Sequence, residues 1–210
     1  MVLYRNPEVK MKRFVTVLLI VILFSAMPLL AKDSGTVVSV GHDLTFPLLG
    51  KFGEVIRGDL VASFGQIGAI DGGVGFYNYD SARIPFYTYD KDTGINKVDL
   101  SKDFDLYVST ITGLDVVIPI GSKLDVIVGL GAWAEVDYMS SVSNIFVYVG
   151  PAARADLVFN VSKSFFLDFG VEAQYKLYQM FYDLDSKEYD ADPVKDFNYP
   201  SCGLRAGIKF

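Results

Sequence analysis

Few side chains of this chain belong to the types that carry catalysis. His42 is the only histidine and Cys202 the only cysteine in 210 residues. A serine nucleophile needs a base, and the base needs an acid to orient it. Asp43 is adjacent to His42, so on a strand it points to the opposite side and cannot play that part. One histidine and one distant cysteine supply no ligand set for zinc. The acidic stretch 183–192, DLDSKEYDAD, lacks the spacing and the glycine of an EF-hand loop and reads as a solvated loop. No GxGxxG, P-loop or GxSxG context is present, and the glycine run at 72–75 reads as a turn. The residues therefore support no enzyme, no metal site and no cofactor.

The remaining charges are distributed more tellingly. Asp43, Arg57, Asp59, Asp115, Asp125, Glu135, Asp137, Arg154, Asp156, Asp168, Glu172, Lys176, Arg205 and Lys209 each fall on the less apolar side of an alternating segment. Nine of the fourteen are acidic and five are basic. If that side faces the interior of a closed structure, the charges must pair or be hydrated. Adjacent strands would offer Arg154 to Glu135 or Glu172, and Arg205 to Glu172 or Asp43.

The elements that position these charges are strands. In 123–139, KLDVIVGLGAWAEVDYM, every even-numbered residue from Leu124 to Tyr138 is apolar. The odd-numbered residues are mostly small or charged. Alternation of this kind marks a strand with two unlike faces. Such a run exceeds the length of about five or six residues usual in globular sheets, but suits a tilted strand crossing a bilayer.

Seven further segments follow the same rule in whole or part: Thr36–Phe46, Glu54–Phe64, Val74–Tyr87, Phe104–Ile120, Ile145–Val161, Phe165–Phe181 and Tyr199–Phe210. The third is the least regular, with tyrosine and phenylalanine at both parities and Asn78, Asp80 and Pro85 within it. Pro47–Gly53 and Gly65–Gly73 read as connections. Gly121–Lys123 and Ser162–Ser164 read as tight turns, Met139–Asn144 as a short loop, and 88–103 and 182–198 as long loops. Short turns on one side and long loops on the other are the habit of membrane barrels.

The front of the chain is different. Lys12 and Arg13 precede the apolar run Phe14–Phe24, and Met27–Ala31 resembles a cleavage region. Residues 1–31 read as a secretory signal, with Met11 a better start than Met1, and residues 32–210 as one domain. The segment contains four basic residues and one acid, so its loss makes the rest more acidic than the whole chain's −6. That balance argues against nucleic acid as a partner. A single cysteine allows no internal disulfide in the exported chain.

A soluble barrel could show the same alternation with its apolar face turned inward. Three features favour lipid. The less apolar face carries Gly113, Gly129, Gly131, Gly150, Gly170, Gly203 and Gly207, which suits a crowded eight-strand lumen. The apolar face of the last five strands is almost free of charge. Phe159, Phe165 and Phe210 at one level, with Tyr138, Phe181 and Tyr182 at the other, would form two interfacial girdles. The expected fold is all-β: an eight-stranded, antiparallel, up-and-down transmembrane barrel.

The chain ends in GLRAGIKF, with Leu204, Ala206, Ile208 and Phe210 alternating to the terminus. This is similar to the C-terminal signal by which bacterial outer-membrane barrels are recognised for assembly. From about residue 36 to 210 the chain resembles small outer-membrane proteins of the OmpA transmembrane-domain and OmpX type. The resemblance implies a monomer in the bacterial outer membrane, with membrane lipid and the barrel-assembly machinery as partners. It also implies a structural or surface-interaction role, with the segments 77–103 and 178–199 as external partner sites. An eight-strand interior is only wide enough for its own side chains, so an ion-paired plug is the expected filling. The alternative is a narrow, porin-like channel whose surplus acids pass cations or small solutes.

Overall fold

The computed structural model describes residues 33–45, 55–71, 73–90, 94–98, 104–140, 143–193, 196–197 and 200–210. The expected signal segment and the connection Pro47–Gly53 lie outside the described residues. Twelve strands are present among them: β1 Asp33–Thr45, β2 Val55–Asp71, β3 Val74–Asp90, β4 Gly94–Lys97, β5 Asp105–Ile120, β6 Leu124–Met139, β7 Asn144–Asn160, β8 Phe165–Lys176, β9 Tyr178–Asp183, β10 Tyr189–Asp192, β11 Asp196–Phe197 and β12 Ser201–Lys209. Each long strand pairs antiparallel with the next, from β1 through β2, β3, β5, β6 and β7 to β8. β12 joins β8 on one side and β1 on the other, which closes the sheet. With β8 and β9 counted as one wall strand, this is the expected eight-stranded antiparallel barrel.

Closure explains the alternation. On β6 the outward residues Val128, Leu130 and Val136 are exposed, Leu130 to 67%, while Ile127, Trp133, Glu135 and Asp137 are buried. β12 repeats the pattern, with Leu204 62% exposed and Ser201 and Gly203 buried. An exposed apolar row beside a buried polar row is the inverse of a water-soluble domain.

The structure corrects several boundaries. β2 does not end at Phe64 but runs to Asp71, and β3 begins at Val74. The glycines at 65 and 68 are wall positions, paired with Tyr79 and Phe76. β3 runs to Asp90, so residues 77–90 of the expected external segment 77–103 belong to the barrel wall. Its continuation folds back as β4. The second long loop also contains strands, β10, which pairs back on β9, and the short β11.

The seventh predicted strand is not continuous. β7 pairs Ala152 with Gln174 but Val149 with Tyr178, so an extra residue is accommodated around Leu177, whose N–H bonds the Val149 carbonyl at 3.0 Å. A bulge of this kind exchanges the faces of everything beyond it. Tyr178 and Met180 consequently pack against outward Val149 and Ala134. Phe181, expected in the outer girdle, instead meets inward Phe146 with ring centroids 5.2 Å apart. A second register shift, between Gly58 and Asp59, lays Tyr87 across Gly58.

Candidate functional site

The barrel interior is where the alternation concentrates polar chemistry. Asp43 on β1 and Arg205 on β12 face each other across the closing seam, with Arg205 Nη2 2.9 Å from Asp43 Oδ2. Arg57 Nε lies 2.8 Å from Asp59 Oδ1 on the same strand. Arg154 Nη2 lies 2.5 Å from Asp156 Oδ2. Glu135 is bound by Arg83, which also donates to Ser109 Oγ at 3.1 Å. At the turn end, Lys209 Nζ donates to Asn160 Oδ1 at 2.8 Å, and Asn160 Nδ2 donates to Asp125 Oδ2 at 2.6 Å. Glu172 accepts from Gln174, and the Lys176 ammonium sits 3.7 Å from the Tyr148 ring centre.

Asp115, Asp137 and Asp168 are also buried, and each has one carboxylate oxygen with no hydrogen-bond partner. The structure therefore joins Arg205 to Asp43, one of the two partners proposed for it. It does not join Arg154 to Glu135 or Glu172. Asp156 lies two residues along the same face of β7, and the Arg154 guanidinium stacks 4.0 Å over Tyr79. Glu135 is meanwhile taken by Arg83. That arginine is absent from the sequence-derived set because the third strand's faces were ambiguous. Its signal was present, since Tyr77, Tyr79, Ser81 and Arg83 share one parity.

The inward face, mostly small or charged by sequence, also carries large apolar members. Tyr77 and Trp133 are fully buried and cluster with Ile111, Tyr148 and Ala152. Trp133 and Tyr148 stack nearly parallel, with centroids 6.3 Å apart. A second cluster joins Val37, Ile127, Val158 and Phe166 toward the turn end. Glycines create this room: a Cβ on Gly129 would lie 2.8 Å from Tyr77 Cε1 and 3.0 Å from Arg154 Cγ. Gly203 likewise leaves its place to the Asp43 carboxylate.

Other candidates lie elsewhere. His42 is on the outward row, 5.0 Å from the Phe86 ring and 5.9 Å from Tyr87, while Asp43 is inside with Arg205. Cys202 is free and lies in the same outward row as Leu204. In the acidic loop, Asp183 Oδ1 accepts the N–H groups of Asp185 at 2.8 Å and Ser186 at 3.0 Å. Those bonds hold the Asp183 carboxyl below its ordinary pKa. Leu204, Ala206, Ile208 and Phe210 keep the outward parity to the terminus, where Phe210 N–H bonds the Thr36 carbonyl at 2.9 Å.

With this geometry in view, solved structures provide the comparison. Neisserial surface protein A (NspA) superposes with a TM-score of 0.53 at 11% identity, covering 84% of this chain and 95% of its own. OprG from Pseudomonas aeruginosa gives 0.52 at 11% identity, covering 86% and 97%. The fold is that of the small eight-stranded outer-membrane barrels. Ail, the attachment invasion locus protein of Yersinia pestis, also matches, at 12% identity and a TM-score of 0.44, over 85% of this chain and 99% of Ail. No protein-family model matches the chain, and neither does any curated protein sequence.

Proposed function

We propose that this protein is an outer-membrane barrel with a structural or surface-interaction role, exported by residues 1–31 and assembled through its C-terminal strand. The observation that carries the reading is the filled lumen. Tyr77 and Trp133 are both 0% exposed and occupy its middle. Ion pairs brace the wall around them, from Asp43–Arg205 at the seam to Arg83–Glu135 and Arg154–Asp156. At their level an eight-strand interior is just wide enough for such side chains to fill it.

The turn end then faces the periplasm and the loop end the exterior, where β4 and the acidic β9–β10 hairpin are presented to partners. The name of NspA, a surface protein, agrees with this placing. Planar-bilayer conductance of the purified protein, after a heat-shift gel confirms folding, tests the reading. A folded but silent barrel supports it. Stable cation-selective steps would overturn it in favour of a channel. Replacing 91–104 and 184–200 by short turns should leave the folded band intact and remove any cell-surface binding.

A further inference from the structure

One stretch of the outer wall departs from the apolar rule. Asn78 and Asp80 on β3 share the outward row of Val74, Phe76, Ala82 and Ile84. The register sets Asn78 beside Gln66 of β2 and Thr112 of β5, and Asp80 beside Thr110 of β5. On β5 the two threonines interrupt the outward row of Leu106, Val108, Leu114 and Val116. Apolar residues therefore bracket the polar group from both ends on both strands, which places it within the band that meets lipid. Ala62 and Ala82 toward the loop end, with Ala132 and Ala134 on β6, keep the surrounding surface low.

The hydrogen bonds of this patch satisfy its neutral groups but not its charge. Thr110 Oγ1 donates to Asn78 Oδ1, and Asn78 Nδ2 donates to Asp80 Oδ2, both at 3.2 Å. Thr112 Oγ1 donates to the Tyr77 carbonyl, also at 3.2 Å. Asn78 and Thr112 are buried, whereas Asp80 stays exposed on the wall. Among the described residues no arginine or lysine pairs with it. The wall arginines point inward, Arg57 and Arg205 to Asp59 and Asp43, Arg83 and Arg154 to Glu135 and Asp156. Lys176 and Lys209 do the same, against Tyr148 and Asn160. A carboxylate facing hydrocarbon without a cation is costly, and such groups mark sites where a partner meets the membrane segment. The same arginines and lysines are inward in every copy, so a second barrel has none to offer.

We propose that this patch is a docking surface for a different membrane protein, one whose lipid-facing segment carries a lysine or arginine. The cation meets Asp80, and the apolar part of the segment rests on Ala62, Ala82 and Val108. Hydrogen-bonding side chains join membrane segments in this way, where hydrophobicity alone supplies no drive. The surface lies on the wall and is independent of the role of the external loops.

The probe is a synthetic leucine–alanine helix of about twenty residues, long enough to span the bilayer. It carries one lysine at its centre and a nitroxide beside it. The peptide is titrated into the purified protein in lipid nanodiscs, and broadening of barrel methyl signals is followed by NMR. Peptides with norleucine or glutamate at the centre serve as neutral and anionic matches.

The lysine peptide should broaden the Ala82, Val108 and Leu114 methyls saturably. Val171 and Leu204, on strands across the barrel, should stay sharp. Binding should weaken at least about tenfold for the norleucine peptide, and likewise for the lysine peptide with Asp80→Asn. The comparison of peptides on the unaltered barrel decides the matter if Asp80→Asn does not fold. Equal binding of the lysine and norleucine peptides would overturn the proposal. So would unchanged affinity in folded Asp80→Asn, or broadening that spares Val108 and Leu114. Self-association of the peptide-free barrel that disappears in both Asp80→Asn and His42→Ala would also overturn it, replacing the foreign partner by a second copy paired through its outward histidine.

Discussion

Asp43 and Arg205 are 162 positions apart in the chain, yet Arg205 donates to both carboxylate oxygens of Asp43, at 3.3 Å from Nε and 2.9 Å from Nη2. The pair spans β1 and β12, the seam at which the sheet becomes a barrel. Gly203, on the same face two residues before Arg205, leaves the carboxylate its space.

Removing one partner should therefore weaken closure more than removing both. Asp43→Ala leaves a largely buried guanidinium without its acid, with an expected loss of about 3–5 kcal/mol. The double variant Asp43→Ala/Arg205→Met should recover a substantial part of that loss. Urea unfolding in lipid vesicles measures both, and equal destabilisation of the single and double variants would show that the seam does not depend on this pair.

Tyr77 owes its place in the lumen to Gly129, whose missing Cβ would stand 2.8 Å from the tyrosine ring. Gly129→Ala forces the ring or the Arg154 stem aside and should cost about 1–3 kcal/mol, the usual scale of overpacking. In a Tyr77→Ala background the same substitution should be close to neutral. A double-mutant cycle reads the coupling directly.

The last five predicted strands were legible because lipid outside and a crowded lumen inside enforce alternation strictly, as Leu124 to Tyr138 illustrate. The third strand was harder because its outward row is interrupted by polar Asn78 and Asp80. Thr110 Oγ1 donates to Asn78 Oδ1 at 3.2 Å and Asn78 Nδ2 donates to Asp80 Oδ2 at 3.2 Å, so these groups satisfy one another on the outer wall. With polar side chains on both faces, the shared parity of Tyr77, Tyr79, Ser81 and Arg83 groups these residues on one side, but alternation alone does not say which side is the interior. The bulge at Leu177 was invisible for another reason. Apolar Leu177 continues the row of Val171 and Ala173, and only the pairing partner on β7 reveals the extra residue. Arg154 was misassigned because alternation names a face without saying which neighbour on that face is nearest.

At the loop end, the turn after β9 should respond to acid. Two backbone N–H groups hold the Asp183 carboxyl below its ordinary value, which is about 3.9 for an aspartate. The bound carboxylate thus supports the turn fully above about pH 5, and this support is lost as the pH falls through the lowered midpoint. The amide signals of Asp185 and Ser186 should titrate together at that midpoint. In Asp183→Asn, which retains the accepting oxygen, they should stay constant with pH.

The filled lumen makes a final prediction about conduction. Trp133 stacks on Tyr148 and clusters with Tyr77 among the most deeply buried side chains of the barrel. Removing both blocking rings, as Tyr77→Ala/Trp133→Ala, leaves a cavity lined by Glu135, Asp137 and Asp115, where surplus acid favours cations. The double variant should give small cation-selective steps in a planar bilayer where the parent barrel is silent. Glu135→Gln in that background should reduce the selectivity. A silent double variant would place the barrier in the Val37, Ile127, Val158 and Phe166 cluster instead, and Phe166→Ala would then be the substitution that opens the path.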